Sequence, residues 1–298
     1  MKIFVTGASG FIGGSVAVTM QRAGYTVRGL VRSEDKAKQL KEQLIEPILG
    51  NLNDAEMISQ QARWADAVIN AASSDNHEVV KTILNAMADS GKIFLHTSGT
   101  SLVGDDAKGQ FASDKVFDEE TSLNPSADKI ARVELDQYIR NSATLGVKPI
   151  ILCNSLIYGY GYGVNPDSVQ LPRLVMQARK TGVVRHVGRG LNIWSNVHIK
   201  DVARLYLLAL EKAPAGSFYF VENGRASFSE ITNAIATKFA LGSAEDWPID
   251  AAIKEWGYEH ATYGLGCNSI VSADKARLEL GWKPQYNSVT KWIMDELI

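Results

Sequence analysis

The sequence predicts an α/β protein that combines a doubly wound parallel sheet with a smaller, helix-rich C-terminal lobe. Short apolar runs alternate with helical stretches up to about residue 154, the first run leads directly into a glycine-rich turn, and strand signals become sparse after Ser227. Strands that alternate with helices favour a parallel sheet covered on both faces, with right-handed crossovers.

Apolar runs predict six strands in the first half, at Lys2–Thr6, Tyr25–Val31, Ile45–Leu49, Asp66–Ala71, Lys92–Thr97 and Lys148–Cys153. The helices predicted between them are Ile12–Ala23, Glu34–Gln43, Ala55–Ala62, Glu78–Ser90 and Ala127–Ser142. Further helices are expected near Leu171–Lys180 and at Asp201–Lys212, the latter with Asp201 as its N-cap, and Ser217–Val221 is expected to return to the sheet. Residues 1–160, rejoined by residues 200–221, would then form the core, and residues 161–298 mainly a capping lobe.

The composition argues against several classes of protein. With 45% hydrophobic residues and a formal net charge of −2, the chain offers no global attraction to nucleic acid or to an anionic membrane. No apolar run approaches the roughly 20 residues of a membrane helix, and Lys2–Val5 lead into Thr6-Gly7 without a signal-peptide pattern. Two cysteines cannot form a disulfide framework. We expect a cytoplasmic protein without a metal site and without nucleic-acid or membrane partners.

The most specific signal is the turn Thr6-Gly7-Ala8-Ser9-Gly10-Phe11-Ile12-Gly13. Its three glycines permit a tight turn, close approach of backbone N–H groups to a pyrophosphate, and close packing of helix on strand. The N-terminus of the helix that follows adds partial positive charge. The strand–turn–helix context favours a Rossmann-type dinucleotide site over a glycine-rich turn without a ligand. The residues assigned to this site are Gly7, Ser9, Gly10, Phe11, Ile12 and Gly13.

The three-residue spacing of Gly7 and Gly10 resembles that of the short-chain dehydrogenase/reductase family, in particular its extended, epimerase/dehydratase-like branch. Five more segments strengthen the resemblance across nearly the whole chain, namely Val68–Ala72, His96–Thr100, Leu156–Gly159, Val197–Val202 and Lys275–Pro284. The resemblance implies a nicotinamide dinucleotide as the cofactor. It adds further residues to the cofactor site, which are Asn51 and Leu52 near the adenine, and Ala71 and Ala72.

The resemblance also implies how a substrate and a second subunit would be placed. Ser98 and Thr100 are expected beside the nicotinamide, where their hydroxyl groups can orient a carbonyl group. The helices Glu78–Ser90 and Ala127–Ser142 could form a twofold homodimer interface, with a monomer as the alternative.

The end of the second predicted strand indicates which dinucleotide is preferred. An NAD site usually places an acidic residue there, whereas this chain has Arg32 followed by Ser33. The planar fork of an arginine can hold a 2′-phosphate at two points, and a serine can donate to the same group. We therefore expect NADP rather than NAD. The alternative is a solvated Arg32, with Glu34 or Asp35 reaching the ribose.

The catalytic pair of the family is a tyrosine followed four residues later by a lysine, near the start of the helix before the sixth strand. No tyrosine occurs between Tyr25 and Tyr138, so this pair is absent. An ungapped alignment from Glu134 puts Ser126 at the tyrosine position and Ile130 at the lysine position. The absence puts ordinary dehydrogenase chemistry in doubt but leaves cofactor binding intact.

Two basic residues flank the expected lysine position. Lys129 and Arg132 could hold the nicotinamide ribose or tune the pKa of a neighbour, and Lys129 is included in the cofactor site. A solvated helix face explains both residues equally well.

The substrate side of the site carries aromatic candidates. Three tyrosines, Tyr158, Tyr160 and Tyr162, lie on a loop that borders the substrate in this family. Tyr158 is a candidate proton donor, although the simpler interpretation is that the rings form the apolar wall of a pocket. Trp194 replaces the arginine that meets the diphosphate in nucleotide-sugar members. A tryptophan cannot neutralise a diphosphate, so Trp194 and Tyr160 predict a pocket for a small apolar or aromatic carbonyl compound.

Three functions remain open from the sequence. The first is an NADP-dependent reductase of a small carbonyl compound with a non-standard proton donor, because the cofactor itself carries the hydride. The second is a non-catalytic, NADP-responsive regulator. The third is a sugar epimerase or dehydratase, which the missing tyrosine, lysine and arginine all disfavour.

Overall fold

The computed structural model describes residues 1–298 and contains three sheets. The strands are β1 (Lys2–Thr6), β2 (Thr26–Val31), β3 (Glu46–Leu49), β4 (Ala67–Asn70), β5 (Ile93–Gly99), β6 (Lys148–Asn154), β7 (Leu156–Tyr158), β8 (Arg185–Val187), β9 (Ile193–His198), β10 (Ser217–Val221), β11 (Arg225–Ser227) and β12 (Glu245–Trp247). The helices are α1 (Phe11–Arg22), α2 (Glu34–Glu42), α3 (Ala55–Trp64), α4 (His77–Ala86), α5 (Ile130–Asn141), α6 (Gln170–Thr181), α7 (Ile199–Lys212), α8 (Phe228–Lys238), α9 (Ile249–Trp256), α10 (Asp274–Leu280) and α11 (Val289–Glu296).

Seven parallel strands form the central sheet in the order β10-β6-β5-β4-β1-β2-β3. Successive strands are added on one side of β1 from β1 to β3 and on its other side from β4 onward, so the strand order reverses between β1 and β4. In doubly wound sheets the ligand binds outside the carboxyl ends of the strands at such a point. The predicted doubly wound α/β fold is therefore confirmed, including the return of residues Ser217–Val221 to the sheet edge.

Each face of the sheet buries its own apolar layer. On one face, α1, α2, α7 and α10 contribute to a cluster that includes Val16, Leu40 and Tyr206. On the other, α3, α4 and α5 contribute to a cluster that includes Ile58 and Ile83. Because both faces are covered, the strands read as nearly continuous apolar runs, which is why the sequence revealed them.

A third apolar cluster lies in the capping lobe, where α6, α8, α9 and α11 pack around small sheets of order β11-β9-β7 and β12-β8. The strands of this lobe were not predicted. Most of them are only three residues long, which is too short to show an alternation of apolar and polar residues. The longer strand β9 has the mixed sequence Ile-Trp-Ser-Asn-Val-His, which shows no clear alternation either.

The chain returns from the lobe to the central sheet near its C-terminal end. Ala276, Leu280 and Trp282 are buried in the same cluster as α1 and α7, and the Trp282 Nε1 donates to the Asp201 carbonyl oxygen at 3.0 Å. The C-terminal end of the chain thus also contributes to the core beside the central sheet. No helix of the structure is both long and apolar enough to cross a membrane.

The expected N-cap of α7 was wrong. The helix begins at Ile199, and the His198 Nδ1 accepts from the Lys200 N–H at 3.1 Å. The Asp201 carboxylate instead accepts from the backbone N–H groups of Gln285 and Tyr286, at 3.0 Å and 2.9 Å. Asp201 thus fixes the chain that returns from the lobe.

Candidate active site

The glycine-rich turn adopts the geometry that its sequence predicts. The Gly10 N–H donates to the Gly7 carbonyl at 2.8 Å, and α1 begins at Phe11. Gly7 has φ +73°, and a Cβ there would lie 2.6 Å from the Ala71 carbonyl oxygen. A Cβ on Gly13 would lie 2.3 Å from the Gly7 carbonyl oxygen. A side chain at either position would collide with the backbone of the turn. Because both residues are glycine, the turn stays tight and its backbone N–H groups can approach a pyrophosphate, as a dinucleotide site requires.

A cleft of about 620 Å³, termed the dinucleotide cleft, runs along the carboxyl ends of β1, β2 and β4. Eight of the predicted cofactor residues line it, namely Gly7, Ser9, Gly10, Arg32, Asn51, Leu52, Ala71 and Ala72. Phe11, Ile12 and Gly13 form the first turn of α1, whose free N–H groups and partial positive charge suit a phosphate. The residues fit the proposed dinucleotide.

Two cations line the end of this cleft that lies beside β2 and α2. Arg32 and Lys36 both line it, and neither forms an ion pair within the chain. Ser33 does not line the cleft, because it is the N-cap of α2 and accepts from the Lys36 N–H at 3.4 Å. Glu34 and Asp35 are exposed and lie outside the lining. Lys36 was missed from the sequence, although it lies only four residues after Arg32, in the first turn of α2.

The loop after β7 reaches the same cleft, which the sequence did not indicate. Asn165 lines the cleft, and the loop is fixed to α1 because the Tyr162 N–H donates to the Ser15 Oγ at 3.2 Å. Gly163 lies so close to Gly14 that a Cβ on Gly163 would be 2.6 Å from the Gly14 Cα. We refer to residues 159–166 as the strap.

A second cleft, of about 490 Å³, adjoins the first along the segment after β4 and is termed the substrate cleft. Its floor is formed by the ends of β5 and β6, including Thr100, Ser101 and Asn154. Its far wall comes from the lobe, including Trp194 and His260. The arrangement places the substrate cleft between the cofactor domain and the lobe.

The register of the helix before β6 decides the position of the basic residues. Residues Ala127–Lys129 form a 3₁₀ turn before α5, and this turn leaves Ile130 45% exposed while Lys129 is 3% exposed and lines the substrate cleft. Lys129 forms an ion pair with Glu259, and its Nζ lies 4.3 Å from the centre of the Tyr263 ring. The interpretation of Lys129 and Arg132 as a solvated helix face was therefore wrong.

Arg132 is held in a rigid ion pair across the cleft floor. Its Nε and Nη2 donate to the two carboxylate oxygens of Asp75 at 2.7 Å and 2.6 Å, and its Nη1 donates to the Ser101 Oγ at 2.7 Å. Burial alone would raise the pKa of Asp75, but the hydrogen bonds and charge of Arg132 hold that pKa below its ordinary value. Burial likewise would lower the pKa of Arg132, but the hydrogen bonds and the charge of Asp75 raise that pKa above its ordinary value.

The two hydroxyl groups predicted beside the nicotinamide are placed differently. Thr100 lines the substrate cleft but is 1% exposed, and its Oγ1 accepts from the Ser269 hydroxyl at 2.9 Å. Ser98 lies outside the cleft, because its Oγ donates to the buried Asp136 carboxylate at 2.7 Å. The prediction for Ser98 is therefore corrected, and Ser101 is the open hydroxyl that sequence reasoning missed.

A buried polar cluster lies under Ser98. Burial raises the pKa of Asp136 to about 7 and lowers that of His96 to about 4. The His96 Nδ1 lies 3.1 Å from the Asn70 amide nitrogen, which leaves its Nε2 directed at Asp136 at 3.9 Å. His96 thus packs within β5 and is fully buried.

The loop tyrosines lie outside the substrate cleft. Tyr158 is fully buried, its hydroxyl donates to the Tyr286 carbonyl at 3.1 Å, and burial raises its pKa well above the ordinary value. Tyr160 lines a separate groove, where its hydroxyl accepts from the Ile298 N–H at 2.9 Å. Tyr162 packs under Arg22. The assignments of Tyr158 as a proton donor and of Tyr160 as a pocket residue are corrected, because the chain turns these rings into the lobe.

Trp194 does line the substrate cleft, although only 4% of it is exposed. Its Nε1 donates to the Cys267 carbonyl at 2.8 Å, which fixes the ring. Asp128, another residue of the cleft lining, has two tyrosine partners that the sequence did not single out, because they lie over 125 residues from it in the chain. Tyr258 and Tyr263 both donate to the Asp128 carboxylate, at 3.1 Å and 2.7 Å.

The fold and the two adjacent clefts define a Rossmann-type dinucleotide-binding protein with a second, ligand-facing lobe. The chain belongs to the NAD-dependent epimerase/dehydratase family, whose model matches residues 3–221. This confirms the resemblance on which the residue assignments were based.

Known relatives share the length of this chain. An uncharacterized protein of Saccharomyces cerevisiae, YLL056C, is 30% identical over 96% of this chain and 95% of its own. A 4-hydroxy-2-methyl-3-oxo-4-farnesyl-3,4-dihydroquinoline-1-oxide ketoreductase of Stigmatella aurantiaca is 26% identical over 95% of this chain and 92% of its own. Among solved structures, a dTDP-glucose 4,6-dehydratase of Bacillus anthracis in complex with NAD covers all of this chain with a TM-score of 0.80 at 19% identity, and 95% of its own chain is covered.

Proposed function

We propose that this protein is an NADP-dependent reductase of a small carbonyl compound that uses a non-standard proton donor. The observation that carries the proposal is the juxtaposition of a dinucleotide cleft with a substrate cleft whose floor presents hydrogen-bond donors but no tyrosine–lysine pair. When NADPH is bound, it supplies the hydride, and the chain then needs only to orient a carbonyl group and stabilise its oxygen.

The choice of NADP rests on Arg32 and Lys36. Both cations face the dinucleotide cleft without a carboxylate partner, while Glu34 and Asp35 stay outside it. A 2′-phosphate would satisfy both cations at once, whereas an NAD ribose offers only hydroxyl groups. Lys129, predicted to hold the nicotinamide ribose, lies in the substrate cleft, where one of its three ammonium N–H bonds donates to Glu259 and the other two can reach a ribose hydroxyl.

The choice of a small carbonyl compound rests on the charges of the substrate cleft. Its two strong cations are already neutralised, Lys129 by Glu259 and Arg132 by Asp75. A nucleotide diphosphate would therefore meet no free cation there, which disfavours a sugar epimerase or dehydratase. Trp194 offers a flat apolar wall instead. A ketoreductase and a putative dihydroflavonol 4-reductase of Synechocystis, 24% identical, are among the relatives.

The second candidate is a non-catalytic, NADP-responsive regulator, which the missing tyrosine–lysine pair favours. In that case the lobe would bind a partner or ligand according to the state of the cofactor. The cytoplasmic location and the homodimer expected from the sequence also stay predictions.

Calorimetric titration with NADPH and NADH, followed by an NADPH-consumption screen over aromatic and aliphatic aldehydes and ketones, tests the proposal. Tighter binding of NADPH with turnover supports the reductase. Tight binding without turnover across the panel favours the regulator, and failure to bind either dinucleotide contradicts both.

A further inference from the structure

We propose that Arg132 and Ser101 together bind the carbonyl oxygen of the substrate and stabilise the alkoxide that forms on it, with Asp75 as the positioning residue for Arg132. The inference rests on the proposed reductase function and assigns the group that replaces the missing tyrosine–lysine pair. Three features of the substrate cleft carry it: the unused donors of Arg132, the direction of the Ser101 hydroxyl, and the open space at Gly99.

The first feature is a count of the donors on the guanidinium group. Arg132 has five N–H bonds, and two of them donate to Asp75 and one to Ser101. One N–H on Nη1 and one on Nη2 therefore have no acceptor within the protein. The Arg132 side chain is 12% exposed and lines the substrate cleft, so an acceptor atom from a ligand can reach these donors.

The second feature is the direction of the Ser101 hydroxyl. The Ser101 Oγ accepts from the Arg132 Nη1 at 2.7 Å, and an arginine can only donate. The Ser101 hydroxyl hydrogen therefore points elsewhere, and it has no acceptor within the chain. Because Ser101 also lines the cleft, its O–H and the free Nη1–H of Arg132 come from adjacent atoms and can converge on one oxygen.

The third feature is the absence of a side chain at Gly99, the last residue of β5. A Cβ at this position would lie 3.7 Å from the Arg132 Nη1, so any larger side chain would stand beside the donors. With glycine there, the guanidinium group is open toward the ends of β5 and β6. A ligand oxygen can occupy that space.

Asp75 keeps this arrangement in place across the physiological pH range. The carboxylate holds Arg132 through two hydrogen bonds, and the pKa shifts of both partners favour their charged forms. The other titratable groups that line the cleft are Lys129 and Glu259, which form an ion pair with each other, together with Asp128 and His260, while the buried Asp136 and His96 also interact electrostatically with Arg132. A fixed guanidinium group beside a forming alkoxide is a preorganised electrostatic catalyst, worth about 10²–10³ in kcat when one donor is removed.

The electron balance requires only the hydride of NADPH, and the proton balance requires one proton from solvent. Hydride transfer from NADPH to the carbonyl carbon breaks the C=O π bond and leaves the electron pair on oxygen, beside Arg132 and Ser101. The alkoxide would take the proton of the Ser101 hydroxyl, and the serine alkoxide, stabilised by Arg132, would recover a proton from a water molecule, whose hydroxide is neutralised by a proton from bulk solvent. NADP⁺ and the alcohol are the products.

The test separates binding of the carbonyl oxygen from turnover. The probe is 4-(dimethylamino)benzaldehyde, whose absorption band shifts to longer wavelength when its carbonyl oxygen accepts strong hydrogen bonds. It is added to the complex with NADP⁺, which cannot donate a hydride. We expect a red shift with the parent protein, its loss in Arg132→Met, a smaller shift in Ser101→Ala, and a weakened shift in Asp75→Asn.

Arg140→Met is the matched control, because Arg140 lies on the same helix, donates to the Gly216 carbonyl and does not line the substrate cleft. It should keep the full shift, and all variants should keep the parent affinity for NADPH in calorimetry. With a substrate from the carbonyl screen, Arg132→Met should lower kcat at least about 100-fold, and Arg132→Lys should recover only part of it, since lysine lacks the planar fork.

A parent protein without a red shift, or an Arg132→Met variant that retains it, overturns the inference. An Arg132→Met variant that raises KM and leaves kcat unchanged also overturns it, because the arginine would then only bind an anionic part of the substrate. A red shift that depends on Arg132 without any turnover supports the inference while rejecting the reductase function. The two proposals can therefore fail separately.

Discussion

Gly163 of the strap lies against Gly14 of α1, so close that a Cβ on Gly163 would be 2.6 Å from the Gly14 Cα. Contact of this kind, between two backbones, fixes the strap more firmly than a side-chain contact would, because neither partner can rotate away. It places Asn165 in the wall of the dinucleotide cleft. The lobe therefore contributes to the cofactor site through the strap.

We expect Gly163→Ala to weaken NADPH binding by about tenfold, roughly 1.4 kcal/mol, because the added methyl group must push the strap and Asn165 away from α1. Calorimetric titration measures the effect. Gly242→Ala is the control, since nothing lies within 4 Å of a Cβ at Gly242. Equal affinities in the two variants would mean that the strap does not contribute to the cofactor site.

The cations Arg32 and Lys36 should set the preference for NADPH over NADH. Arg32→Asp is expected to lower that preference by about 10- to 100-fold, and Lys36→Ala by less, since each removes a charge-assisted contact to the 2′-phosphate. Lys38→Ala, on the same helix but outside the cleft, should leave the preference unchanged. An unaltered preference in Arg32→Asp would contradict the role of this residue.

The buried Asp136 should make the stability of the protein depend on pH. Its pKa in the folded state, about 7, lies above the ordinary value of 3.8 because burial disfavours the charged form. The folded state then binds more protons than the unfolded state between these values, so the Asp136 contribution to the free energy of unfolding falls as the pH rises from about 4 to about 7.

His96 acts in the opposite sense, since burial lowers its pKa from 6.5 to about 4 and its contribution rises with pH over that window. The informative quantity is therefore the difference between Asp136→Asn and the parent. We expect Asp136→Asn to raise Tm at pH 8 and to lose this advantage at pH 4, as followed by thermal unfolding. A pH-independent difference would rule out titration of Asp136.

Tyr158 provides a negative test of the sequence-based assignment. Its hydroxyl is buried and donates to the Tyr286 carbonyl, so Tyr158→Phe should lower the free energy of unfolding by about 1 kcal/mol and leave kcat unchanged. Thermal unfolding and the NADPH-consumption assay measure the two effects. A large loss of kcat with normal stability would restore Tyr158 as a candidate proton donor.

The sequence was sufficient for the sheet and for much of the dinucleotide cleft because those signals are local. The glycine-rich turn, the strand that precedes it and Arg32 at the end of the second strand are each defined by a few consecutive residues. Lys36 was within reach of the same reasoning, since it lies in the first turn of the helix that begins just after Arg32.

The substrate cleft could not be predicted in the same way. The 3₁₀ turn before α5 changes which basic side chain faces inward, and the ungapped alignment put Ile130 there instead of Lys129. The partner of Arg132 is Asp75, 57 residues earlier in the chain. Such pairs depend on where whole elements are placed, which residue spacing does not reveal.

The return of Trp282 to the core beside α7 bears on how the protein is made. A nascent chain that has emerged as far as β10 already contains every strand of the central sheet. It still lacks Ala276, Leu280 and Trp282, so part of one apolar face remains open to water and to chaperones. We therefore expect the dinucleotide domain to complete its folding late in synthesis, and a truncation before α10 to give a less soluble fragment with weaker cofactor binding than the full chain.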